Sequence, residues 1–263
     1  MTLTRDVPGD RLMSPAILPG AEPWSADGRN GHGALCLHGF TGNPNSMRGV
    51  AEAFHDAGFA VELPRLPGHG TTVDEMMTTN WRDWSGEAEA AYQGLAARVD
   101  KVVVAGLSMG GTLSCWLAAR HPEIAGIVCV NPATTTQAAE VMDMVKGMVA
   151  EGTELMAGIG SDIAEPGVVE SAYEGTPLRP LLSLIEDGLA HLDLAAIECP
   201  VLLLTSPQDH VVDPSQSDHL AATVKGPVDR VTLERSYHVA TLDYDRDIIF
   251  ERAVAFAKKV TAA

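Results

Sequence analysis

Three side chains in the sequence can together perform nucleophilic acyl transfer: Ser108, Asp209 and His238. Ser108 is the centre of Gly106-Leu107-Ser108-Met109-Gly110, which follows the apolar run Val102-Val103-Val104-Ala105 and precedes Thr112-Leu113-Ser114-Cys115-Trp116-Leu117. A chain that turns from strand to helix at one residue strains that residue and crowds the positions two before and two after it. Glycine alone fits such positions comfortably, and Gly106 and Gly110 occupy them. The Ser108 hydroxyl is therefore expected to stand exposed at the C-terminal edge of a parallel sheet, above a helix N-terminus.

A serine hydroxyl is a weak nucleophile until a base takes its proton, and that base must be held in the right tautomer by an acid. Asp209 lies in Ser206-Pro207-Gln208-Asp209-His210, just beyond the apolar run Val201–Thr205. His238 follows the next strand-like run, in Ser236-Tyr237-His238-Val239. The order Ser, Asp, His along successive strand ends makes these the candidate triad, with Asp213 the alternative acid. A tetrahedral intermediate also needs two donors for its oxygen. The backbone N–H of Met109 is one candidate, and that of Phe40, in His38-Gly39-Phe40-Thr41-Gly42, is the other. The bland alternative for the second motif is a tight turn alone. His38 precedes Ser108 and so breaks the Ser, Asp, His order, His69 sits in a loop whose backbone it can brace, and His210, next to Asp209 in sequence, is expected to point away from it, so all three read as scaffold residues.

These residues need a sheet with helices on both sides. Ala34–Leu37, Phe59–Leu63, Val102–Ala105, Gly126–Val130, Val201–Thr205 and Asp229–Leu233 read as strands, mostly as continuous apolar runs of the kind buried on both faces. Helical spacing marks Ser46–Ala57, Trp81–Arg98, the stretch after Ser108, Ser215–Val224 and Asp247–Val260. Strand, helix, strand in alternation predicts an α/β fold with a mostly parallel, doubly wound sheet. From Asn131 to Cys199 no strand-like run occurs, and the stretch reads instead as helices with glycine-rich joints. It is expected to form a small cap inserted after the strand ending near Val130, carrying Met142, Met144, Met148 and Met156. The expected division is core over 1–132, cap over 133–198 and core again over 199–263.

With 263 residues, 46% of them hydrophobic, the chain is long enough for one sizeable core. A formal net charge of -17 argues against nucleic acid or an anionic membrane surface as a partner. The four cysteines form no CxxC pair and sit in or beside apolar runs, as small buried hydrophobes do. No metal-ligand spacing, GxGxxG or GxxxxGK[ST] is present, so neither a metal nor another cofactor is expected. Residues 1–15 lack a secretory signal pattern and no run approaches the ~20 apolar residues of a membrane span, so a cytoplasmic location is the expectation.

Across almost its whole length the sequence resembles the bacterial monoacylglycerol lipases and related carboxylesterases of the α/β-hydrolase superfamily. The resemblance is carried by Leu37–Gly42, Leu63-Pro64-Arg65-Leu66-Pro67-Gly68-His69-Gly70, Gly106–Leu113, Asp209-His210-Val211-Val212 and Ser236–Asp245. It implies the α/β-hydrolase fold and hydrolysis of monoacylglycerols to fatty acid and glycerol, with a cap whose apolar tunnel takes the acyl chain. It further implies that Ile159 and Glu170, in cap stretches matching those of the family, hold the glycerol end of the substrate. Pro132 and the stretch up to Gly152 depart from the family pattern. The rival readings are a short-chain carboxylesterase or thioesterase of broad specificity, and a ligand-binding receptor with little turnover. The expected partner is a small lipid ester, with transient contact with lipid aggregates, and the expected state a monomer or homodimer.

Overall fold

The computed structural model describes residues 15–158 and 161–262. The chain enters through a short edge strand, β1 (Trp24–Ala26), then β2 (His32–Leu37), α1 (Asn45–Asp56) and β3 (Ala60–Leu63). Met47, Val50, Ala51 and Phe54 form the buried face of α1, and Gly58, at φ 102°, ends it. After a short helix α2 (Val73–Met76) comes α3 (Trp81–Ala96). Asn80 caps α3, its side chain accepting from the Arg82 N–H while Asp83 accepts from the Asn80 N–H.

Strand β4 (Lys101–Leu107), helix α4 (Met109–Ala118) and strand β5 (Gly126–Val130) follow. The chain then leaves the sheet for α5 (Ala139–Ala150), an antiparallel pair β6 (Leu155–Ala157) and β7 (Gly175–Pro177), and α6 (Leu178–Ser183), which runs on into one π turn over Leu184–Gly188. It returns with β8 (Val201–Thr205), α7 (Ser215–Thr223), β9 (Val228–Thr232) and α8 (Arg246–Thr261).

The main sheet has the order β1-β3-β2-β4-β5-β8-β9, parallel throughout except for β1. Alternate residues serve opposite faces, because side chains alternate along a strand. Leu35, Leu37, Val102, Val104, Ile127 and Leu203 pack with α3, α4 and α7. Ala34, Cys36, Val103, Ala105, Val128 and Leu204 pack with α1 and α8. This is the doubly wound sheet expected from the apolar runs.

The insertion after β5 differs from its expected all-helical character. The pairs Leu155 with Pro177 and Ala157 with Gly175 close a two-stranded ribbon, and residues 161–174 between its strands form no helix or strand. Its strands are three residues each and partly exposed, too short to leave an alternating signal. The four cysteines are free thiols, three buried and Cys199 half-buried. Cys115 on α4 and Cys129 on β5 lie 3.9 Å apart, sulfur to sulfur. Among the described residues no helix is long and apolar enough to cross a membrane.

Candidate active site

Ser108 stands between the end of β4 and the first turn of α4 with φ 55° and ψ -117°, a conformation that costs a non-glycine residue on the order of 1–3 kcal/mol. The flanking glycines explain how the turn closes. A Cβ on Gly106 would lie 2.0 Å from the Gly110 carbonyl oxygen, and one on Gly110 would lie 2.0 Å from that of Leu37. Any larger residue at either place would force backbone apart. The Ser108 N–H donates to the Val130 carbonyl at 3.0 Å, tying the turn to the end of β5.

The loops after β8 and β9 bring Asp209 and His238 together. The His238 Nδ1–H donates to Asp209 Oδ2 at 2.7 Å, leaving Nε2 as the basic nitrogen. Asp209 is fixed by its other oxygen, which accepts from the N–H groups of Val211 and Val212 at 2.8 Å each. The side chains of His238 and Asp209 are 8% and 2% exposed, so their bond is sheltered from competing water.

Asn131 joins these pieces. It directly follows Val130, has φ 43°, and its Nδ2 donates to the His238 carbonyl at 2.8 Å and to Ser206 Oγ at 3.0 Å. Its Oδ1 accepts from the Ser206 N–H at 2.8 Å. Asparagine is one of the few residues that enter this left-handed region readily.

On the other side of Ser108 lies the loop after β2. A Cβ on Gly39 would sit at ordinary contact distance, 3.4 Å, from the Ser108 Cβ, so this loop, which continues into Phe40, runs alongside the serine. Met109 opens α4, where N–H groups have no partner within the helix. His38 is buried with both nitrogens engaged: Nδ1–H donates to the Gly39 carbonyl and Nε2 accepts from the Leu66 N–H. Burial first, then the neighbouring His69, holds its pKa well below the usual histidine range. Burial likewise lowers His69 to about 4, and its Nδ1–H donates to the Pro67 carbonyl. Both rings brace loop backbone.

Glu170 reaches this loop from the insertion. A Cβ on Gly42 would meet its Oε1 at 2.7 Å. Burial pushes the Glu170 carboxyl above the usual range, against the opposing pull of His238 and a hydrogen bond with Ser46. The same segment is tied down just after it: Asn43 Nδ2 donates to the Ser171 carbonyl, and the Tyr173 N–H donates to that of Thr41.

Residues 35–158 match the model of the alpha/beta hydrolase fold family. The chain is 44% identical to the thermostable monoacylglycerol lipase of Bacillus sp. (strain H-257) over 92% of its own length and 96% of that protein's. It belongs to the α/β-hydrolase family. It is 28% identical to a carboxylesterase of Bacillus subtilis (strain 168), over 86% of this chain and 92% of that one. A solved structure from two metagenome-derived lipolytic enzymes superimposes with a TM-score of 0.87 at 41% identity, covering 93% of this chain and all of the other. The monoacylglycerol lipase of Paleococcus ferrophilus, at 20% identity and a TM-score of 0.64 over 89% and 99% of the two chains, shares the fold. This α/β-hydrolase is a carboxylic ester hydrolase.

Within the hydrolase, Asp213 accepts from the Ser215 N–H at the start of α7, and the carboxylate bonded to His238 is Asp209. Ile159 lies outside the described residues. Sequence reasoning missed Asn131, Asp162 and Asp243, each of which reaches backbone groups remote in the chain. The available signals were a polar residue directly after a buried strand and the carboxylates at 243 and 245 just past His238. A groove of about 500 Å³ beside Trp24, Leu63, Glu87 and Gly94 includes none of the site residues. Among the described residues no group of three or more His, Cys, Asp or Glu side chains is set to hold a metal ion.

Proposed function

We propose that this ester hydrolase cleaves monoacylglycerols to free fatty acid and glycerol through an acyl-enzyme on Ser108. The observation that carries the reading is the sheltered 2.7 Å bond between His238 and Asp209, borne on the same sheet edge as a strained serine. His238 Nε2 takes the proton as Ser108 Oγ attacks the ester carbonyl, and Asp209 keeps the imidazole in the required tautomer. The N–H groups of Phe40 and Met109 receive the charge on the carbonyl oxygen, an interaction for which loss of one donor typically costs about 3–4 kcal/mol. Collapse of the tetrahedral intermediate expels the glycerol oxygen, which takes the proton from His238. Water, activated by His238, then releases the fatty acid.

The head-group reading rests on Glu170, whose carboxyl lies against the loop that bears Phe40. A carboxylate that can accept from a substrate hydroxyl gains a partner with a glycerol ester and none with a plain alkyl ester. Ile159 is assigned to the same glycerol end, and residues 133–198 to the cap, between core segments 1–132 and 199–263. The 44% identity to a monoacylglycerol lipase supports the same substrate class.

A fluorophosphonate probe tests the nucleophile: labelling at Ser108 is expected, and turnover that survives in Ser108→Ala would refute it. A panel of glycerol monoesters against p-nitrophenyl and thioesters of equal acyl length tests the substrate. A clear preference for the glycerol head is expected, and its absence would favour the broad carboxylesterase reading.

A further inference from the structure

Between β6 and β7, Asp162 makes a set of contacts that the reaction above does not use. Its Oδ2 accepts two backbone N–H groups at once, that of His210 at 3.1 Å and that of His238 at 3.0 Å. Its Oδ1 accepts from His210 Nδ1–H at 2.8 Å, and its own carbonyl accepts from the Val239 N–H at 3.0 Å. One amide thus belongs to the base itself, and the other to the residue directly after the acid. The side chain is 11% exposed, and a sheltered carboxylate is stable there because three N–H donors satisfy it.

We propose that Asp162 is a positioning residue that sets the spacing of His238 and Asp209 from the cap side, an assignment resting on the triad reading above. A single carboxylate oxygen held by both loops fixes their separation, and the His238–Asp209 bond is made across that gap. Two neighbouring contacts make the support rigid. Asp243, fully buried, accepts from the N–H groups of Ala164, Glu165, Tyr237 and Tyr244 and so binds the segment after Asp162 to the loop of the base. Ser161, on the other side, accepts the Glu170 N–H at 2.8 Å. The cap stretch 161–165 is therefore an anchor, and it joins the head-group carboxylate to the base. A misplacement of about 1 Å in such a bond can cost on the order of 100-fold in rate.

The test compares Asp162→Ala, Asp162→Ser and Asp162→Asn in the full chain. Alanine has no acceptor and serine is too short to bridge both loops, so each is expected to lower kcat about thirtyfold or more while KM changes less than about threefold. Asparagine keeps one oxygen for the two amides and is expected to restore kcat to within about fivefold of the parent. The low-field proton resonance of the His238–Asp209 bond, identified by its loss in Asp209→Asn, is expected to vanish in the alanine and serine variants and persist in the asparagine variant. A kcat within about threefold of the parent, with that resonance intact in either short variant, would overturn the assignment. So would a loss of kcat matched by an equal loss of folded protein. Should the parent fail to react with fluorophosphonate, the acyl-enzyme reading on Ser108 falls, and the resonance still decides the role of Asp162.

Discussion

Glu170 and Gly42 act as a pair at the scale of single residues. The carboxylate oxygen occupies the space that a methyl group on Gly42 would need, 2.7 Å from it. Gly42→Ala is therefore expected to push the carboxyl aside and raise KM for a monoacylglycerol about tenfold while sparing p-nitrophenyl butyrate, the same pattern as Glu170→Ala. Steady-state kinetics on the two substrates check it. His69 gives a pH prediction. Its pKa is lowered from 6.5 to about 4 in the folded chain, so between those values the unfolded state binds more protons and stability falls as pH falls. The fall attributable to this ring is about 3 kcal/mol, at 1.36 kcal/mol per unit. Urea midpoints measured from pH 7 to pH 4 should decline less in His69→Gln than in the parent.

The elements show why some of the site can be read from the sequence. Ser108, Asp209 and His238 each follow a strand, and each strand except the more exposed β9 is an unbroken apolar run, so their places at one sheet edge follow from local pattern. Gly106 and Gly110 are legible for the same reason, since backbone crowding at a single turn is a local property. Gly110→Ala is expected to destabilise the chain by about 3 kcal/mol or to abolish soluble folding, as an overpacked position does. Thermal denaturation would show it. Asn131 was not legible, because Ser206 and His238 lie far along the chain and only the folded sheet brings them to it. Residues 161–174 escaped for a related reason: they have no periodicity, and their order comes from Asp243, Asn43 and Thr41. Asn131→Gly loses the hydrogen bonds but holds the positive φ without strain, whereas Asn131→Ala loses the hydrogen bonds and strains the backbone as well. Both should lower kcat, with alanine less stable by about 1 kcal/mol.

For the whole molecule, the net charge of -17 shapes how it meets a lipid. Repulsion from an anionic micelle is long-ranged at low salt, with a Debye length of about 30 Å at 0.01 M and about 8 Å at 0.15 M. Hydrolysis of a monoacylglycerol carried in anionic micelles is expected to speed up across that range, while a freely soluble short ester responds little. Equal salt responses of the two substrates would contradict this.

The excursion of the chain between β5 and β8 also has a kinetic side. Val130 pairs with Leu204, so the last two parallel strands, and with them Asp209 and His238, join the sheet only after the whole insertion has been looped out. Closing so long a loop is an entropic burden that must be met before the new contacts repay it, and such non-local pairings form late. The half of the site on β2 and β4 closes in smaller steps, because β3 pairs with β2 before the chain reaches β4, and β5 pairs with β4 after one helix. On dilution from denaturant, helical circular dichroism should therefore recover first, and catalytic turnover should return after a lag.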